Sequence, residues 1–500
     1  MDSWTLLKLT FVSFVLYVIG LYVYRMYFDP LSNIPGPKLA AASLWYEFYY
    51  DVIKKGRYTW KIWEMHDKYG PIVRINPYEV HINDPDMIDE VYPNQQKRSM
   101  KYGWAMKMFG LKTGVLATES HELHRTRRGI FAHYLSKATL LRLEPGIQSV
   151  IDKLVSRFEG LKGSGRNVNL LDVYACLTGD VIGQYAFAQT YGFLDDPDFS
   201  PYWHKLIMNV SQNGLVLKQF GWMMPMMQAM PDWLVKIIQP QMISLLEFQR
   251  GFRRQVIEAK EGIARGEKPI GQETIFYDVL TNDAVRPQEK ETDHLQDEAQ
   301  TIIAAGTVTT GHILAILSFY LINNPTVLER LQTELGDLMS KTGPFPKWQQ
   351  IEQLPYLTAV ITEGLRMGYG VSHRLQRLFP DTVLQYNGYS VPPMTPLSMT
   401  SVLLHDNPTL FPDPRTFKPE RYLEQPSLRK YLIPFSRGSR QCAGMHLAYC
   451  EFYLTLAAVF APGRFKLELF ETDVSDVETK HDFMNTSPKL DSKGIRVTIN

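Results

Sequence analysis

The sequence predicts a mainly α-helical protein, a large helical body with a smaller β-rich region, preceded by one transmembrane helix. Three observations predict it. Apolar residues recur with a 3.6-residue period over long segments, roughly 84–92, 119–135, 144–160, 172–188, 233–265, 293–322, 325–340, 354–369 and 443–460, as helices with a buried face require. Strand patterns are few: PIVRIN (71–76) and EVHIN (79–83) flank a turn containing Pro77, and Asn387-Gly388 separates TVLQY from YSV, the strongest two-residue hairpin signal. Finally, Trp4 to Tyr24 is almost wholly apolar with Lys8 as its one charge, and at about 1.5 Å per residue it matches a bilayer core.

That first segment reads as an uncleaved anchor, residues 1–28. It ends in Tyr22, Tyr24, Arg25 and Tyr27 rather than in the small residues of a cleavage site, and aromatic residues suit a membrane interface. In DPLSNIPGPKL, the prolines at 30, 35 and 37 with Gly36 forbid helix continuation, so 29–40 reads as a short, stiff linker. With no internal repeat or low-complexity segment, residues 41–500 read as one large domain.

Composition excludes some classes of function. At 45% hydrophobic and 21% charged residues the chain is not disordered, and 53 basic against 52 acidic residues leave no global reason to bind nucleic acid. Three cysteines, Cys176, Cys442 and Cys450, cannot make a disulfide framework and indicate a reducing compartment, so the sequons at Asn209 and Asn485 read as chance. FGWMMPMMQAMPDWL (220–234), broken by Pro225 and Pro231, reads either as core or as an adaptable apolar surface touching membrane or a greasy ligand.

The chemistry concentrates near the C-terminus, where FSRGSRQCAG (435–444) runs directly into MHLAYCEFYLTLAAVF. Pro434 and the glycines put Cys442 on a tight loop opening into a helix N-terminus, whose dipole and free N–H groups stabilise a thiolate. Arg437 and Arg440 add positive charge nearby. A thiolate so placed serves as a nucleophile, a redox sensor or the single soft ligand of a metal; a buried structural cysteine is the bland alternative.

Phe435, Gly438, Arg440, Cys442 and Gly444 resemble, at every fixed position, the haem-ligand loop of the cytochrome P-450 (haem-thiolate monooxygenase) family. Further motifs follow in the family's order. Glu363 and Arg366 of EGLR lie one helical turn apart, and FKPERY (417–422) supplies Arg421; the resemblance implies a structural lock of these three behind the haem loop. It assigns the haem propionates to Arg440, to Arg377 in HRLQR, and to Arg125 in HELHR, where His121 stands at the tryptophan position of a Trp-x-x-x-Arg pattern. In AAGTVTT (304–310), Thr309 matches the threonine that supports oxygen activation, with Ala305 on the same helical face. Gly306 is expected to open a groove for O2 beside Thr309. The family's acid before the threonine is here Val308, which leaves proton delivery to Thr309 and water, or to Thr307, Thr310 or His312 nearby.

The resemblance implies a cytochrome P-450 fold and a b-type haem with Cys442 as axial iron ligand, in a catalytic domain spanning 41–500. It also implies NADPH electrons delivered by a membrane-bound NADPH–cytochrome P-450 reductase, docking on a basic face around Arg437, Arg440 and Lys430. The linker and KLAAASLWYEFYYDV look most like microsomal fungal members of secondary metabolism, anchored in the endoplasmic reticulum membrane with a cytosolic catalytic domain. Oxygen insertion into a lipophilic, terpenoid- or polyketide-like small molecule is the expected activity. A haem-thiolate isomerase or dehydratase without NADPH, or a non-catalytic haem-binding protein, are the alternatives. Pocket-lining segments are expected at 100–116, 220–234, 301–309, Val371 to His373 and Phe483 to Thr486.

Overall fold

A computed structural model describes residues 3–188, 191–267 and 274–500. Helices dominate, and the longest, Thr292–Asn323, runs through the middle of the core. Around it pack Leu170–Phe187, Pro240–Ala264, Pro355–Gly368 and Met445–Val459. Close approach rests on absent side chains. A Cβ on Gly311 would stand 2.9 Å from the backbone of Tyr174 and Ala175, and one on Gly306 would stand 2.9 Å from the Ile182 side chain. The Thr178 hydroxyl donates to the Thr307 carbonyl (2.7 Å) across the same contact.

Both expected hairpins form. Ile72–Arg74 pairs antiparallel with Val80–Ile82 in a five-stranded sheet that also takes in Leu397–Ser398, Arg377–Leu378 and Met100–Lys101. Leu384–Tyr386 pairs with Tyr389–Val391 through Asn387 and Gly388, both at positive φ (50° and 80°), as a tight hairpin turn requires. Two smaller sheets complete the β region, one of them the C-terminal hairpin His481–Phe483/Asn485–Ser487.

Several boundaries differ from expectation. The segment 233–265 is two helices, Asp232–Ile238 and Pro240–Ala264, because Pro240 lacks an N–H and Gln239 before it leaves the helical region (φ −148°). The helix expected from 144 starts at Lys137, capped by Ser136, and carries Pro145 in its interior. Tyr58–Tyr69 and Pro201–Gln219 are helices that the periodicity did not reveal.

The helix Ser3–Val23 has no buried residue and, with its continuation to Phe28, is long and apolar enough to cross a membrane. The proline-rich stretch after it is docked rather than free. Leu31 and Ile34 are buried beside Ile72, Val80 and Ile82, and the Arg74 N–H donates to the Pro35 carbonyl (2.8 Å). Arg74 also donates to the carbonyls of Arg25 and Pro77 and pairs with Asp29, which fixes the direction in which the N-terminal helix leaves the body.

Behind the C-terminal loop, Glu363, Arg366 and Arg421 form the expected lock, and it is buried. Arg366 donates two parallel bonds to the Glu363 carboxylate (2.9 and 2.8 Å), and Arg421 Nε and the Lys418 N–H donate to the same oxygen, both at 3.1 Å. Arg366 also donates to the His405 carbonyl (2.9 Å). Burial pushes the His405 pKa down to about 3, so its ring is neutral. Its Nδ1–H donates to the Arg366 carbonyl (3.0 Å), leaving Nε2 to accept from the Ile433 N–H (3.0 Å), at the threshold of the loop. Replacing Glu363 by Gln leaves two buried guanidinium groups short of their carboxylate, and a loss of about 3–5 kcal/mol is expected for such a break. Thermal unfolding checks it: a melting temperature within a degree of the wild type would show that the lock is not structural.

Candidate functional site

Residues 434–444 form a loop braced on three sides. The Cys442 N–H donates to the Phe435 carbonyl (2.9 Å), the Phe435 ring lies 5.4 Å from that of Tyr449, and Ser436 and Gly438 take positive φ (56° and 71°). Gly438 is obligatory: a Cβ there would meet the Pro93 carbonyl oxygen at 1.9 Å, and the Ser439 N–H donates to that same oxygen. Gly444 has open space where a side chain would stand, and immediately precedes the helix Met445–Val459.

Cys442 is exposed although the loop around it is embedded in protein. Desolvation is still the largest influence on its thiol and pushes the pKa up, against backbone N–H donors at Gly444 and Met445 and the charge of Arg128. Dense surroundings with an accessible sulfur mean that Cys442 opens into internal space. The helix N-terminus therefore works as expected but is outweighed by burial. A thiol so disposed is a poor nucleophile and a poor redox sensor at neutral pH, whereas a metal ion deprotonates it outright. Of the readings left open, soft metal ligand is the one the environment favours. Arg437 does not serve Cys442, since it turns outward to Asp89 and the Lys430 carbonyl.

Beside the loop lies a group of cations, Arg440, Arg377 and Lys101 buried and Arg128 half-buried, with no ion-pair partner among the described residues. Arg440 donates to the carbonyls of Thr118, Glu119 and Ser120, Arg377 to Gln376 and to the Ser436 hydroxyl, Arg128 to Gln441, and Lys101 to Leu116. Carbonyls satisfy N–H geometry but do not cancel charge. The result shows in their titration: burial, then Arg377 and Arg128, bring Arg440 down to about 9, with its Nε unpartnered. Burial, then Arg440, Arg377 and Arg128, hold Lys101 well below its ordinary value and act likewise on His124. Such a cluster is costly unless anions join it. Two carboxylates on a planar group, as haem presents, meet that need, so the residues fit the cofactor.

Arg377 and Arg440 are thus brought together as expected, but His121 and Arg125 are not part of the cluster. Arg125 lies on the exposed face of the helix His121–Ala132, and His121 bonds the backbone of Ser99. The pattern shifts by three residues, to buried His124 and to Arg128. Arginine or histidine stands at five places in HELHRTRR, so spacing alone left the register open. Lys101, on the strand paired with Arg377, was missed, since the surrounding KRSMKYGWAMK carries four cations with no feature separating one from another. Arg440, 7% exposed, is also removed from the expected docking face.

On the central helix, accessible side chains recur at Ile302, Ala305, Thr309 and His312, while Ile303, Thr307, Val308, Thr310 and Gly311 are buried. Their spacing is one helical stripe, and Ala305 is exposed although it sits mid-helix in the core. The stripe marks an internal cavity. The Thr309 hydroxyl lies on it and donates to the Ala305 carbonyl (2.7 Å). Gly306 does not open a groove there; its bare face meets Ile182, and its role is helix packing. Met224 and Met227 of the methionine-rich segment are core, while Trp222, Met226 and Trp233 are exposed.

Residues 37–493 match the family profile described as cytochrome P-450. The chain is 43% identical to a cytochrome P-450 monooxygenase of Ascocoryne sarcoides, over 99% of this chain and 98% of that protein. It is 40% identical to a tryptophan 6-hydroxylase of Fusarium equiseti (97% and 95% covered) and 37% identical to an N-acetyltryptophan 6-hydroxylase of Emericella nidulans (99% and 97%). A cysteine loop and cationic cluster that fit haem, in a chain so matched along its length, establish that the protein belongs to the cytochrome P-450 family and is a haem-dependent monooxygenase, an oxidoreductase.

Proposed function

We propose that this protein inserts one oxygen atom from O2 into a lipophilic small molecule of secondary metabolism, by hydroxylation or epoxidation. The observation that carries the reading is the accessible stripe on the central helix, which puts Thr309 and apolar Ile302 and Ala305 on the wall of an internal cavity. Terpenoid, polyketide-like and aromatic substrates all suit such a wall, and hydroxylases of tryptophan and N-acetyltryptophan among the relatives support the aromatic class. Those hydroxylase relatives and Thr309 are also why oxygen insertion is preferred to an NADPH-free isomerisation or to simple haem carriage.

Haem b on a cysteine thiolate, given two electrons from NADPH through a reductase and two protons, activates O2 for insertion into an unactivated bond. The chain's own contribution is positional and electrostatic. Cys442 Sγ would hold the haem iron, and the N–H groups of Gly444 and Met445 aimed at it would moderate the thiolate's charge. Lys101, Arg128, Arg377 and Arg440, with neutral His124 beside them, would hold the propionates, whose charge would relieve the repulsion among the cations. The Thr309 hydroxyl, which donates to the Ala305 carbonyl on the accessible stripe, would be able to hold or pass a proton to a molecule in the cavity. Val308 is buried at 2% exposure, so position 308 takes no part in that delivery.

The three-part division into anchor (1–28), linker (29–40) and haem-thiolate domain (41–500) goes with attachment to the endoplasmic reticulum membrane, catalytic domain on the cytosolic side. Exposed Trp45, Trp222, Trp233 and Ile237 support a second apolar contact with the bilayer besides Ser3–Phe28. The reductase docks on the basic face at Arg437 and Lys430.

Cys442→Ala is expected to abolish the carbon monoxide difference band of thiolate-bound haem, and persistence of that band would refute the ligand assignment. For Thr309→Ala, haem content stays but product formed per NADPH consumed falls by about tenfold or more, a modest share of what a positioned proton donor supplies. Unchanged coupling would remove Thr309 from the mechanism. Reversing charge with Lys430→Glu and Arg437→Glu together should slow reductase-driven turnover by about tenfold and flatten its salt dependence, with peroxide-driven turnover untouched. Equal loss by both routes would place the defect in the fold instead of the docking face.

A further inference from the structure

The accessible stripe on the central helix ends at His312. The nine residues after it, Ile313 to Leu321, are all buried, so His312 closes the cavity wall about 4.5 Å along the axis from Thr309. Its ring is held from across the cavity: Nε2 lies 2.6 Å from the hydroxyl of Thr486, on the C-terminal hairpin. The hairpin in turn is fixed by the bridge between Val371 and Asn485 and by the bond from Asn485 to the Ser211 hydroxyl (3.2 Å) on Pro201–Gln219. Nδ1 has no partner among the described residues.

Burial brings the His312 pKa down to about 4, with His204 acting in the same direction, so the ring is neutral and carries one N–H and one acceptor nitrogen. The ring nitrogen that Thr486 leaves free is therefore open to a polar group of a bound molecule, at the end of a wall whose other side chains are Ile302, Ala305 and Thr309. Neither catalysis at Thr309 nor haem binding calls for an imidazole there.

We propose that His312, oriented by Thr486, is a specificity-determining contact that hydrogen-bonds an uncharged polar group of the substrate, such as a hydroxyl, an amide or a ring N–H. A carboxylate is not the group it takes, since the neutral ring offers no charge to balance one. The contact sets which carbon faces the haem by tethering the substrate's polar end one helical turn from Thr309. The assignment rests on the monooxygenase reading, because it concerns the substrate of that same cavity.

Spectral titration of the full-length, haem-loaded enzyme with indole and with indene tests it. The two probes match in size and shape, but only indole carries an N–H. The wild type is expected to bind indole about tenfold more tightly than indene, in the range one satisfied hydrogen bond supplies. His312→Phe, which keeps a ring, should bring the ratio to near one without weakening indene, and Thr486→Val should lower it partway. The carbon monoxide difference spectrum checks that each variant is folded; if His312→Phe does not assemble, Thr486→Val decides on the same ratio. A wild type that binds both probes alike, or variants that keep the wild-type ratio or weaken both probes equally, would overturn the proposal. Titration needs no turnover, so its failure is separate from a failure of oxygen insertion, which would show as no oxygenated product.

Discussion

The site depends on a buried carboxylate far from the chemistry. Glu363 accepts from Arg366, Arg421 and the Lys418 N–H at once, and through Arg366 and neutral His405 its hold extends to Ile433, where the cysteine loop begins. Buried charge of this kind is a poor source of net stability, since desolvation roughly offsets attraction. Its value is geometric: bidentate and carbonyl bonds fix direction as well as distance. A loop that must hold one sulfur rigidly is thereby tied to the core behind it.

The lock holds a carboxylate that both of its guanidinium groups share, whereas the cluster beside Cys442 holds none. Lys101, Arg128, Arg377 and Arg440 are satisfied as hydrogen-bond donors by carbonyls and a hydroxyl, and repel one another as charges. That combination is a preorganised anion site: the geometry exists before the anion arrives, and the repulsion is relieved when it does. Cys442 shows the same logic. Its surroundings keep the free sulfur protonated and reserve the thiolate for a metal.

The central helix reconciles close packing with an internal cavity by dividing the two tasks around its circumference. Gly306 and Gly311 take the packing side, where bare backbone lets Leu170–Phe187 approach, while Ala305, Thr309 and His312 take the open side. Its hydroxyls are satisfied locally, Thr307 on the Ile303 carbonyl and Thr309 on the Ala305 carbonyl, both 2.7 Å. A polar, glycine-bearing stretch in the middle of a core helix therefore carries little cost in unmade bonds.

Features written in contiguous residues were legible from the sequence. The loop 435–444, the Glu363–Arg366 turn, the Asn387-Gly388 hairpin and the long apolar N-terminal helix each owe their form to local sterics, period or length, which travel with the residues themselves. Features made by convergence were not. The cationic cluster draws on residues 101, 124, 128, 377 and 440, and no spacing rule joins them. Helical phase in HELHRTRR was undetermined because Arg125 and Arg128 are both chemically suited to a propionate, and only packing decided that Arg128 turns inward to half-burial while Arg125 stays exposed. The sequence alone determined that Cys442 stands at a helix N-terminus, on a loop that resembles the family's haem-ligand loop. Only the tertiary structure decided which cations surround it, which side of Gly306 is filled, and that the cavity ends in a histidine, because burial is a sum over neighbours that the chain brings together from afar.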